Sequence, residues 1–295
     1  MVDLNLTVHQ TAPLLGDREG NEEEIRRRVL GSSSRDLLVF PELALTGYHL
    51  RGRVQRFAVD LSAGSLPYLP PDAPPVVFGL PERGGDELVY NSALIIHENR
   101  ILAKHRKVYL PTYGPFDEGR YFAPGRDAPP VVTLPTGWKV GLLICEDFWH
   151  PALLYLLAMQ GAELILVLSA APGRGQPRDP AEIANTSKRE EAPGALFSSP
   201  EKWALLARAA ALQFGVFLVI ANRAGVEEGV TFAGESSVVS PTGELLACAP
   251  QGEPATLDCT LPRDGLRQGR TPFAHLRDED PGFVRRALDH LRGEG

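Results

Sequence analysis

The chain has 295 residues, 43% of them hydrophobic, which is enough to bury one large core, and nothing in its composition calls for a second. Its 37 acidic and 30 basic side chains give a formal net charge of -7 with the basic residues scattered, which argues against nucleic acid as a partner. Cys145, Cys248 and Cys259 form no short pair or metal-ligand cluster, and their odd number argues against a disulfide framework, so a reducing compartment fits. No apolar run approaches the roughly 20 residues that span a bilayer. Met1 to Gln10 is too polar for a signal core, so the expectation is a cytoplasmic protein off the membrane.

Apolar runs at Asp36–Phe40, Val76–Gly79, Ser92–Ile96, Val140–Cys145, Leu164–Ser169 and Phe217–Ala221 predict strands buried on both faces. Helical patterns lie between them at Asn21–Leu30, Pro151–Gln160 and Pro200–Phe214, the last with Glu201 in its first turn. This alternation predicts an α/β fold. Ser236–Ser240 and Glu244–Cys248, joined by Pro241-Thr242-Gly243, predict a hairpin. The stretch 172–199 is rich in Pro, Gly and polar residues and predicts a lid or a disordered loop.

Thiol-based hydrolysis of an amide needs a sulfur nucleophile, a base and donors for the oxyanion. Cys145 ends an apolar strand and precedes Glu146-Asp147-Phe148-Trp149-His150-Pro151 and a helix, the strand end where α/β sheets place their crevice. A lone cysteine in an apolar strand also reads as a small core residue. Glu42, in Phe40-Pro41-Glu42, follows another apolar strand and suits a buried base, or else an exposed loop charge. Lys107 closes Lys104-His105-Arg106-Lys107, which reads as a solvated edge strand unless Lys107 turns inward to meet a thiolate and an oxyanion. Glu118 lies in a polar loop after Tyr113-Gly114-Pro115-Phe116-Asp117. His150 is a poor candidate for a Cys–His pair, and His9, His97, His105 and His275 lack ligand spacing.

From about Asn5 to Ala247, the order, spacing and wording of these segments resemble the nitrilase superfamily of carbon–nitrogen hydrolases. The matching stretches are Phe40-Pro41-Glu42, Lys107 with Leu110-Pro111, Cys145-Glu146-Asp147, Ala221-Asn222-Arg223-Ala224-Gly225 and Phe232-Ala233-Gly234-Glu235-Ser236. The resemblance implies a four-layer αββα sandwich at 1–260, with 261–295 an extension packing on the domain or on a partner subunit. It also implies a Glu42–Lys107–Cys145 triad with Glu118 as second carboxylate, Tyr113, Glu146, Phe148, Trp149 and Ser169 as substrate contacts, and no metal or organic cofactor. The segment 110–122 with Cys145–Trp149 is most similar to the glutaminase domains of glutamine-dependent NAD synthetases, which implies a carboxamide such as glutamine. The 295 residues contain no Ser-Gly-Gly-Xaa-Asp loop, so the expected partners are the small amide, further copies of the chain, and a separate synthetase that takes the ammonia. An N-carbamoyl-amine hydrolase or other amidase of the superfamily and a non-catalytic partner subunit are the alternatives.

Overall fold

The computed structural model describes residues 2–32, 34–62, 69–114, 116–173, 200–272 and 274–292, so the predicted lid or loop at 172–199 lies outside the described residues beyond Gly173. The strands are β1 (Leu4–Gln10), β2 (Leu37–Val39), β3 (Val59–Asp60), β4 (Val76–Arg83), β5 (Val89–His97), β6 (Arg100–Arg106), β7 (Val131–Thr133) and β8 (Lys139–Ile144). They continue as β9 (Leu164–Ser169), β10 (Phe217–Asn222), β11 (Ala224–Glu227), β12 (Val230–Ala233), β13 (Ser237–Val239), β14 (Leu245–Cys248) and β15 (Ala255–Leu261). The helices are α1 (Arg18–Leu30), α2 (Val54–Phe57), α3 (Pro151–Met159), α4 (Pro200–Phe214), α5 (Asp264–Arg270) and α6 (Pro281–Leu291).

Two mixed sheets form. The first has the order β15-β1-β2-β4-β5-β6 with β3 beside β4, and the second β14-β13-β10-β9-β8-β7; β11 and β12 make a separate ribbon. Strand alternation sorts the first sheet's side chains. Leu37, Val39 and Val77 face the second sheet in the main core, while Leu38, Phe40, Val76 and Phe78 meet Ile25 and Val29 of α1. On the second sheet's outer side Leu153, Leu154 and Leu157 of α3 and Ala207 and Ala211 of α4 complete the same core. The layers are therefore α, β, β, α. Each fully buried Leu or Val contributes about 1.5–3 kcal/mol, so two-faced burial of these short strands is what holds the layers together.

The predicted strands and helices form, and the hairpin forms as β13 and β14, closed by Ser240 N donating to Glu244 O at 2.9 Å. Strand β15 pairs antiparallel with β1 along its whole length, and Arg270 of α5 donates to the carbonyls of Gly215 and Ala162. Helix α6 buries none of its residues and exposes Phe283, Leu288 and Leu291. No helix among the described residues is long and apolar enough to cross a membrane.

Candidate active site

Strand direction decides where the chemistry gathers. β1, β2 and β4 are parallel, β5 runs against β4 and β6 against β5, so β2 and β6 end at the same edge of the first sheet. β8 and β9 are parallel neighbours in the second sheet. Glu42 follows β2, Lys107 follows β6, Cys145 follows β8 and Ser169 ends β9, so carboxyl ends from both sheets supply the cluster.

Two sharp turns deliver Glu42 and Cys145. Leu43, after Glu42, has φ 48, and Cys145 itself has φ 45, a left-handed conformation that non-glycine residues hold only where the surroundings enforce it. Gly79 of β4 lets the Glu42 turn lie against the sheet: a Cβ there would stand 2.4 Å from Leu43 N and 2.9 Å from Glu42 Cα. Lys107 is inward because β6 alternates: Lys104 and Arg106 reach Glu82 on one face, while Ala103, His105 and Lys107 are buried on the other. The solvated-edge reading of 104–107 therefore holds for Lys104, not for Lys107, which is 0% exposed.

The Lys107 ammonium donates to Glu42 Oε1 at 2.8 Å and to Glu118 Oε1 at 2.6 Å. Asn91 Nδ2 adds a bond to Glu42 Oε1 at 2.7 Å, and the Tyr48 hydroxyl adds one to Glu118 Oε1 at 2.5 Å. The second oxygens, Glu42 Oε2 and Glu118 Oε2, are buried without a hydrogen-bond partner among the described residues. Burial raises the Glu118 carboxyl most, Lys107 pulls it down and Glu42 lifts it, leaving it at about 7. Burial lowers the Lys107 ammonium, but Glu118 and Glu42 outweigh it and hold that group well above its ordinary value. Burial and then the Glu42 charge push the Cys145 thiol up against the pull of Lys107, so the resting sulfur keeps its proton instead of standing as a thiolate. Ser169 Oγ lies 3.5 Å from Sγ as a donor.

The arrangement can accept a thiol proton, hold an oxyanion beside an ammonium and orient an amide nitrogen. Residues 8–271 match the carbon-nitrogen hydrolase family. The chain belongs to that family. This hydrolase is 30% identical over 269 residues to a glutamine-dependent NAD(+) synthetase of Aquifex aeolicus, covering 88% of the chain but only 42% of the synthetase's length. It is also 30% identical, over 94% of the chain and 90% of the relative, to a hydrolase in the pqqF 5' region of Pseudomonas protegens. Among solved structures it is similar to an amidase of the nitrilase superfamily from Nesterenkonia AN1, with a TM-score of 0.71, 25% identity and 96% of each chain covered.

The other expected contacts fall into two groups. Tyr113 donates to Glu146 Oε2 at 2.6 Å, close enough to the cluster for Cys145 and Lys107 to act on its hydroxyl, which burial and Glu146 hold up. Phe148 is buried in the core and stacks on Trp203, while Trp149 is half-exposed and meets Trp203 edge-on. His150 stacks on Tyr109 at 3.3 Å.

Sequence reasoning passed over four residues. Asp147 accepts from the N–H groups of Val108 and Tyr109 at 3.0 Å each, from Ile144 N at 3.3 Å, and stands 2.8 Å from His105 Nε2. It thus ties the segment after Lys107 to the Cys145 turn, and His105 is its buried partner. Asn91 was detectable as an amide inside the apolar strand β5. Tyr48 carries no local signal, because its partner Glu118 is 70 residues away. Among the described residues no group of three His, Cys, Asp or Glu side chains is arranged to hold a metal ion.

Proposed function

We propose that this carbon-nitrogen hydrolase cleaves a small linear carboxamide, with glutamine the leading candidate, to carboxylate and ammonia through a thioester on Cys145. One observation carries the reading: a single buried ammonium is shared by two carboxylates, each with a bare oxygen, beside a strained, buried thiol. Glu42 Oε2 takes the Sγ proton as sulfur attacks the amide carbon. The Lys107 ammonium and the N–H of Glu146 hold the oxyanion. Glu118 Oε2 accepts from the amide nitrogen and orients it. The proton on Glu42 passes to that nitrogen as the C–N bond breaks, and ammonia leaves. Water, deprotonated by Glu42, then opens the thioester, and the proton returns to sulfur.

Glutamine is favoured by the glutamine-dependent synthetases among the relatives, and a synthetase is the natural consumer of the ammonia. Pairing of two copies has exposed apolar surface to use at Leu156 of α3, Leu205 and Leu212 of α4, and Phe283 and Leu288 of α6. The test is ammonia release from a panel of L-glutamine, acrylamide and an N-carbamoyl-amine, with Cys145→Ala, Cys248→Ser and Cys259→Ser beside the wild type. Loss of turnover in Cys145→Ala alone is the expected result. A wild type inactive on the whole panel would favour the non-catalytic subunit, and turnover by Cys145→Ala would overturn the thioester.

A further inference from the structure

Behind Glu118 lies a second buried ionic cluster that the steps above do not use. Glu227, the last residue of β11, accepts from Tyr48 N at 3.0 and 3.2 Å, from His49 N at 2.6 Å and from Arg223 at 2.6 Å, with His49 Nδ1 at 3.1 Å. Arg223 is 1% exposed and lies 4.0 Å over the Phe232 ring. Gly47 makes room for the carboxylate: its φ is 77, and a Cβ there would stand 2.6 Å from Glu227 Oε2. One carboxylate thus fixes the turn that carries Tyr48.

That turn points a single hydroxyl at the reacting cluster. The Tyr48 ring is held edge-on by Phe232 at 5.8 Å and Phe116 at 6.3 Å, and its hydroxyl reaches the same Glu118 oxygen that Lys107 reaches. A carboxylate held by one donor can rotate and exchange its oxygens. Two donors on Oε1, arriving from different elements, fix the plane of the group and leave Oε2 as the atom it presents. We propose that Tyr48 is a positioning residue that selects which oxygen of Glu118 faces the amide, and that the Arg223–Glu227 pair sets the reach of Tyr48. This rests on the reading of Glu118 as the second carboxylate of the site.

The experiment measures kcat, KM and melting temperature on the best amide of the panel, with Cys145→Ala as control. Tyr48→Phe keeps the ring and removes the hydroxyl; kcat falls about tenfold or more, KM changes less than about threefold, and the fold is retained. Glu227→Gln lowers kcat as well, but adds nothing in the Tyr48→Phe background, whereas its loss of melting temperature persists there, because its effect on the chemistry runs through Tyr48. Should Glu227→Gln fail to fold, Arg223→Lys, which keeps the charge and loses the fork, takes its place in the cycle. Wild-type kcat in Tyr48→Phe, or kcat losses that multiply in the double variant, overturn the proposal. Wild-type turnover by Glu118→Gln would instead strike the reading of Glu118 on which the proposal rests, and turnover by the Cys145→Ala control would strike the thioester.

Discussion

Glu227 and Glu118 are both buried carboxylates that touch Tyr48, one through its backbone N–H and the other through its hydroxyl, yet they are satisfied in opposite ways. Both oxygens of Glu227 are occupied, and although burial raises it, His49 and Arg223 bring it down to about 2. Glu118 has one oxygen doubly occupied and the other bare, and with Glu42 nearby it comes to about 7. A buried carboxylate with every lone pair engaged stays charged and holds structure, whereas one with a bare oxygen and a like-charged neighbour is poised to bind a polar atom or exchange a proton near neutrality. The same residue type thus serves as scaffold or as reagent according to how many donors surround it.

The largest effect that would sharpen this contrast is expected from Lys107→Ala. It removes the cation shared by Glu42 and Glu118, so turnover falls roughly 100-fold or more. Breaking a buried pair also costs about 3–5 kcal/mol, because uncompensated charge remains. That penalty shrinks as acid protonates Glu118, which stands at about 7, so melting curves of the variant and the wild type converge from pH 8 to pH 5. Near-normal turnover, or a stability loss independent of pH, would break the assignment.

Glu118→Gln comes next. With Glu118 acting as a carboxylate, kcat/KM of the wild type rises with pH through about 7, and the Gln variant is slow and lacks this limb. The sign for stability is the reverse. A carboxyl whose folded value is raised binds its proton more tightly in the native state, so its contribution is present at acid pH and lost as pH rises from about 4.5 to about 7. Glu118→Gln therefore leaves the melting temperature at pH 8 unchanged or higher. A pH–rate profile and melts at pH 5 and 8 check both statements, and an unaltered limb near 7 would remove Glu118 from the chemistry.

The smallest effect on stability belongs to the scaffold side. Glu227 is depressed to about 2, so its contribution is present above about 4.5 and lost as pH falls toward 2. Glu227→Gln costs on the order of 2 kcal/mol at pH 7, and the difference from wild type narrows as pH falls from about 4.5 toward 2. A gap that stays constant over this range in thermal melts would mean that the carboxylate charge is not what holds the turn at 47–49.

Much of the site was legible because its residues stand at ends of apolar strands. Cys145 after Val140–Ile144 and Glu42 after Leu37–Phe40 stand where continuous apolar runs mark buried parallel strands whose carboxyl ends open onto the crevice, but locally each also reads as a core or loop residue, and the family resemblance decided between the readings. The α/β alternation and the Gly243 hairpin likewise follow from short-range pattern, whereas the αββα layering was implied by the family resemblance. Lys107 was ambiguous for a definite reason. In Lys104-His105-Arg106-Lys107 all four side chains are polar, so alternation sets two faces without saying which is inward; that depends on the side of β6 covered by the second sheet. The partners of Tyr48, Asn91 and Asp147 were not legible at all. Tyr48 N meets Glu227 across 179 residues, Asn91 meets Glu42 across 49 and His105 meets Asp147 across 42. Sequence alone supplied the candidate groups and placed Glu42, Lys107 and Cys145 after strands. Only the tertiary structure decided which oxygen of each carboxylate is bound and which is bare, because hydrogen bonds are short and directional, and donors distant in the chain meet only once both sheets have packed.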